Sequence, residues 1–140
     1  MILPDKDLLL AAFRGFPHRD HPVLDAAGEL AVLHEHRLRS RTTSFDNFER
    51  DRARLVLEID RWCARHLPVP PGGARLHTET VGRVVDRLAR MSAQVYSRLV
   101  QVSDSEYERA TTLNELADAY QDLVDELSCG MRRLPDTSDR

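Results

Sequence analysis

The 140-residue chain is poor in the residues that build most specialised sites. It has two cysteines, six glycines, one tryptophan, three tyrosines and four phenylalanines. Two cysteines without metal-ligand spacing exclude a disulfide scaffold or zinc ribbon, and Cys63 and Cys129 read as small core residues in a reduced, cytoplasmic setting. No apolar run approaches the length that spans a bilayer; the longest, Leu8-Leu9-Leu10-Ala11-Ala12-Phe13, is far too short. Asp5 and Asp7 precede that run and no small-residue cleavage site follows, so it does not read as a signal peptide. Excess charge is missing too. Twenty basic against 23 acidic residues give a net charge of −3, which offers no general attraction to nucleic acid or anionic lipid. Gly72-Gly73 lacks the downstream Gly-Lys-Ser/Thr of a phosphate loop, and no stretch alternates as a strand does.

What is present is helical periodicity. The stretch from Leu76 to Leu88 opens the helix around which the chain is organised: Thr78 or Thr80 can accept from the first-turn N–H groups, and Glu79 stands at the positive end of the dipole. Val81, Leu88, Val95 and Val102 recur every seven residues, with Val84, Val85, Met91 and Leu99 beside them, which draws one apolar stripe. Glu79, Arg83, Asp86, Arg90 and Gln94 run opposite. Glu79–Arg83 and Asp86–Arg90 are acid-first i,i+4 pairs worth ~0.3–0.5 kcal/mol each, which predicts a solvated polar face. Between the two stripes lie Gly82, Ala89 and Ala93, where a neighbouring backbone could come close; a helical glycine requires such a reason.

Thr78-Glu79-Thr80-x-Gly82-x-Val84-Val85-Asp86-Arg87-Leu88, followed by Tyr96, resembles the main motif of the bacterial helical family called domain of unknown function 4254. Phe45-Asp46-x-Phe48-x-x-x-Arg52-x-x-Leu55-Val56-x-x-Ile59-Asp60-x-Trp62 is similar to that family's second motif. Leu33-His34 is similar to the remnant of its aromatic-and-histidine first motif. The resemblance runs over roughly residues 29–134 and implies a helical fold; the family brings no established activity.

Along the chain, Asp5 caps and Gly15 stops a short first helix. Asp20 and Pro22 restart the chain as a second helix through Leu38, with Val23, Ala26, Ala27, Leu30, Ala31 and Leu33 on its apolar face and His34 in the middle of that face. Ser44 opens a third helix to about Leu67, whose apolar side holds Phe45, Phe48, Leu55, Val56, Ile59, Trp62 and Cys63. Arg52 lies inside that stripe and requires a carboxylate, Glu49 or Glu79 being nearest by sequence logic. Pro68–Gly73 connects to the organising helix. Ser103-Asp104-Ser105-Glu106 matches a capping box for a last helix that runs to about Cys129, where Gly130 loosens it, with Thr111-Thr112 the one point at which it could break. Its core face reads Ala110, Leu113, Leu116, Ala117, Tyr120, Leu123, Val124, Leu127 and Met131. The expectation is an all-α antiparallel bundle of four main helices plus a short N-terminal one, a single domain over residues 1–134 with a mobile tail at 135–140.

No catalytic signature stands out. His34 and His36 diverge on a regular helix and do not meet one metal ion. His18 and His21 read as solvated turn histidines, Cys63 and Cys129 lack a neighbour that would activate a thiol, and Glu115-x-x-Asp118 has metal-site spacing but no second acidic motif. Neither metal nor cofactor is expected. The leading function is a non-enzymatic interaction or accessory protein that meets a protein partner or a second copy of itself, not nucleic acid or a membrane, through the face holding Glu79, Gly82, Arg83, Asp86, Arg87 and Arg90. The alternative is a small-molecule or phosphate-binding enzyme whose polar pocket contains His34, Arg52, Glu79 and Asp86. Convergence of these side chains on a concave site separates the two.

Overall fold

A computed structural model describes residues 2–40, 44–97 and 104–136. Among these residues five helices follow one another: α1 (Lys6–Phe13), α2 (Pro22–Arg39), α3 (Phe45–His66), α4 (Val81–Tyr96) and α5 (Asp104–Ser128). The fold is the expected all-α bundle of four main helices and a short first one. Val102, Leu99 and Ser103 of the sequence pattern, and residues 137–140 of the tail, lie outside the described residues.

Side-chain caps set the helix starts. Asp5 accepts from Leu8 N at 2.9 Å to open α1, which Gly15 closes in the left-handed region at φ +80°. Ser44 caps α3, and Thr80, the second of the two threonine candidates, caps α4. For α2 the cap is not Asp20 but His21, whose ring Nδ1 accepts from Val23 N at 3.1 Å. Its other nitrogen, Nε2, therefore carries the hydrogen and donates to Ile2 O at 3.1 Å. His21 is thus not a solvated turn residue: it is buried, tying the N-terminal strand of chain to α2, with its ring 4.7 Å from Trp62. Two short parallel strands absent from the sequence expectation, β1 (Arg75–Leu76) and β2 (Arg132–Arg133), join the approach to α4 to the segment after α5.

α4 is the hub: among the described residues it is the only helix in contact with all four others. Its buried arc is consequently wider than one stripe: Val81, Val85 and Leu88 are buried, and so are Gly82, Ala89 and Ala93. The small residues have the function their size predicts. A β-carbon on Gly82 would stand 2.4 Å from Val56 O and 2.7 Å from Asp60 Oδ1, so α3 lies directly on the first turn of α4. Asp60, buried within the apolar side of α3, accepts from Gly82 N at 2.8 Å and adds negative charge where the helix dipole favours it.

α5 runs unbroken through Thr111 and Thr112, whose hydroxyls donate to Tyr107 O and Glu108 O four residues back. It holds α1 through Tyr120, which donates to Pro4 O at 2.7 Å, and through the Lys6–Asp118 ion pair. Asp118 is thereby engaged away from Glu115, and among the described residues no three His, Cys, Asp or Glu side chains gather as a metal site would require. Met131 and Cys129 do not join the core; both are exposed beyond the end of α5. Cys63 is buried, and burial pushes its thiol up to about 12, so it is not a thiolate at neutral pH.

Two measurements follow. Gly82→Ala gains up to ~1 kcal/mol in helix propensity but forces a backbone carbonyl aside, so it should lower unfolding stability by a net ~1–2 kcal/mol; a denaturant midpoint at or above wild type would contradict the contact. Burial, reinforced by Arg19, holds His21 below the ordinary histidine value of 6.5. The unfolded chain then binds the extra proton first, so the His21 contribution is complete above about pH 6.5 and is lost as pH falls below it. His21→Asn keeps a capping side chain without that titration. Its stability should change less than wild type between pH 7.5 and 5.5, and equal pH slopes would exclude the assignment.

Candidate functional site

The eight residues proposed from the sequence separate into distinct places. Four come together. His34 from α2, Arg52 from α3, and Asp86 and Arg90 from α4 line one cleft of about 360 Å³, with Arg37, Phe48, Glu49 and Gln94 beside them. The other four do not join them. Glu79 precedes α4 instead of riding on it, and its carboxylate accepts from Arg87 Nη2 at 2.7 Å, not from Arg83. Both line a separate cleft between α4 and α5. Gly82 is buried under α3 and absent from the surface. Arg83 lines a neighbouring cleft on the other side of Arg52.

Asp86 is the centre of the site. His34 Nε2 lies 2.8 Å from Oδ1 and Arg52 Nη1 2.8 Å from Oδ2, so each carboxylate oxygen receives a donor from a different helix. Because an ionised carboxylate only accepts, Nε2 is the protonated ring nitrogen of His34. Arg52 also forks onto Glu49, through Nη2 at 2.7 Å and Nε at 3.2 Å. Glu49 is therefore one of the partners anticipated for Arg52; Asp86 takes the place anticipated for Glu79. The expected solvent-facing Asp86–Arg90 pair is absent because Asp86 points inward, its side chain 13% exposed. His34 is equally enclosed, its ring edge-on to Phe48 at 5.5 Å, and Arg37 stands over the Phe48 ring at 5.6 Å.

Burial by itself would raise the Asp86 carboxyl, but the hydrogen bonds and charges of His34 and Arg52 outweigh it and hold the group below the usual carboxylate range. Arg52 responds in the opposite sense: the Glu49 hydrogen bond raises it, against desolvation and with help from Asp86. At neutral pH the arrangement is a fixed carboxylate orienting an imidazole, with a guanidinium locking the carboxylate from behind. Such a pair holds His34 in one tautomer and leaves Nδ1 as the ring nitrogen not engaged with Asp86. Three flanking cations, Arg37, Arg52 and Arg90, outnumber the two carboxylates of the cleft.

Sequence reasoning missed Arg37, whose place beside the pocket depends on how α2 packs against α3. It also passed over Asp60, although an acid inside the apolar run Leu55–Trp62 signals a buried acceptor in search of donors.

Substitutions test the linkage. Arg52→Met leaves Asp86 with His34 alone and Glu49 partly solvated, so the cost should be ~1–3 kcal/mol. A larger loss, as for a fully buried broken pair, is not expected, because Arg52 is about one-third exposed. The depressed Asp86 value contributes stability that is complete above the ordinary carboxylate range and is lost as pH falls through the folded-state value. Asp86→Asn should therefore flatten the acid limb of the stability profile, as followed by chemical denaturation from pH 6 to 3. An unchanged acid limb would show that Asp86 is not held this way.

Comparison with known proteins adds one match. The family model described as "Protein of unknown function (DUF4254)" matches residues 31–135, a span that includes His34, Arg52, Asp60, Gly82 and Asp86. No curated protein and no solved structure matches the chain. With three-quarters of its length covered by that family model, the chain belongs to the DUF4254 family of proteins of unknown function.

Proposed function

We propose that the cleft around Asp86 binds a small molecule through an anionic group, a phosphate or a carboxylate, and that His34 exchanges a proton with it. One observation carries this reading: each of the three sequence segments that resemble the family's motifs contributes one member, His34, Arg52 and Asp86, and the three meet in a single concave site. A salt-bridged surface helix needs no such convergence. Arg90 supplies positive charge at the rim, with Arg37 beyond it, and Asp86 fixes the imidazole so that Nδ1 is the atom left for proton transfer. The active unit is residues 1–134 as one domain, acting in the cytoplasm of a bacterial cell.

A second reading keeps the protein as a non-enzymatic interaction or accessory protein that meets a protein partner or another copy of itself. Supporting it, Arg83 and Arg90 are exposed along α4 and the Arg87 side chain is half exposed beside Glu79. The contact face would then lack Gly82 and Asp86, which point inward.

Titration with inorganic phosphate, followed by two-dimensional NMR, decides between them. Saturable shifts should gather on residues 34–38, 48–52 and 86–94, and Arg90→Gln should weaken binding about tenfold without altering the melting temperature. Shifts that scatter over the surface or never saturate would reject the anion site.

A further inference from the structure

Arg52 belongs to two clefts at once. One is the Asp86 cleft. The other, about 520 Å³, lies between α3 and α4 and is lined by Arg50, Arg52, Arg54 and Arg83 over a floor of Ala53, Val56 and Leu57, with no carboxylate among its lining residues. The arginines differ in their engagement. Arg54 is held by Glu58 at 2.9 Å, Arg50 has only the distant Asp51 at 3.9 Å, and Arg52 is spent on Glu49 and Asp86. Arg83 makes no ion pair among the described residues, and neither does Arg90 in the first cleft. These two uncommitted arginines stand on α4 seven residues apart, two helical turns, which places them on one side of the helix about 10 Å from each other along its axis. Arg52, reaching across from α3, sits between them.

On the reading that the Asp86 cleft takes an anionic group, we infer that the natural ligand is elongated and doubly anionic: one anionic group lies with Arg90 and His34, and a second, about 10 Å away, lies with Arg83 and Arg50. The stretch between the two groups passes over the fixed Arg52 guanidinium. In the second cleft Arg83 and Arg50 meet the anion while the floor of Ala53, Val56 and Leu57 takes the carbon that carries it, which separates this ligand from a compact polyanion such as pyrophosphate. Two sites linked through one molecule gain affinity by effective concentration, because the second contact is made without a second loss of translational freedom.

Calorimetric titration of the full chain with four probes tests the inference: inorganic phosphate, pyrophosphate, fructose 6-phosphate and fructose 1,6-bisphosphate. The bisphosphate should bind at least about tenfold tighter than either the monophosphate or pyrophosphate. Arg83→Gln should remove most of that gain while leaving the affinity of inorganic phosphate for the Asp86 cleft, followed by the NMR shifts of residues 34–38 and 86–94, within about twofold; Arg90→Gln should weaken all four probes. Arg83 is exposed and makes no ion pair among the described residues, so its replacement leaves the fold intact, checked by an unchanged melting temperature. If phosphate and the monophosphate bind but the bisphosphate binds no tighter, or pyrophosphate equals it, or the gain survives Arg83→Gln, the two-anion ligand is overturned and the Asp86 anion site stands. If no probe binds, both fall together.

Discussion

At Gly82 a backbone carbonyl of α3 occupies the space that a β-carbon would need, and the buried Asp60 carboxylate closes on the adjoining N–H. This contact fixes where the two helices meet along their lengths. Arg52 lies about two turns before Asp60 on α3, and Asp86 about one turn after Gly82 on α4; the long arginine side chain spans the remaining offset and reaches Oδ2. A helix pair held a few ångströms farther apart would leave Arg52 short of its acceptor and Asp86 buried beside His34 alone. The packing contact thus comes first in the causal order, and the polar site is built on its register.

The site in turn shows how a buried carboxylate is retained. Desolvation opposes the charged form of Asp86, and one neutral hydrogen bond would not offset it. Two charge-assisted or strongly polarised donors, one on each oxygen, do. Neither donor comes from α4 itself. The carboxylate therefore links α2, α3 and α4, and the three helices hold it in place, which is the condition under which an imidazole can be kept in one orientation. An ion pair between Asp86 and Arg90, on one helix, would have left His34 with no partner in its apolar surroundings.

Much of this was legible in the residues. An arginine inside an apolar stripe and a histidine in the centre of another both announced a need for partners, and a glycine inside a helix announced a close approach. Asp86 departs from what periodicity predicts because α4 has more than one buried stripe. α4 touches four neighbours, so positions opposite the Val81–Leu88 stripe still face protein, and the i,i+4 arginine is outcompeted by donors from α2 and α3. Glu79 fails for a simpler reason: Thr80 is the cap, so Glu79 has no helical phase. His21 was hidden because turn composition suggests solvent, while its burial depends on Ile2 and Trp62, contacts remote from it in sequence. The β1–β2 pair has two residues on each side and leaves no periodicity to read.

That small parallel pair carries a kinetic implication. It joins residues separated by almost sixty positions with only a few backbone hydrogen bonds, among them His77 N to Arg133 O at 2.8 Å. Closing a loop of that length costs a free chain roughly 3–4 kcal/mol beyond a fixed constant, more than so few exposed bonds return. The pair cannot nucleate anything. It depends on α4 and α5 being docked, which brings its two halves into reach. The β1–β2 pair is thus a consequence of the bundle, whereas no member of the α2–α3–α4 site draws a hydrogen bond from it.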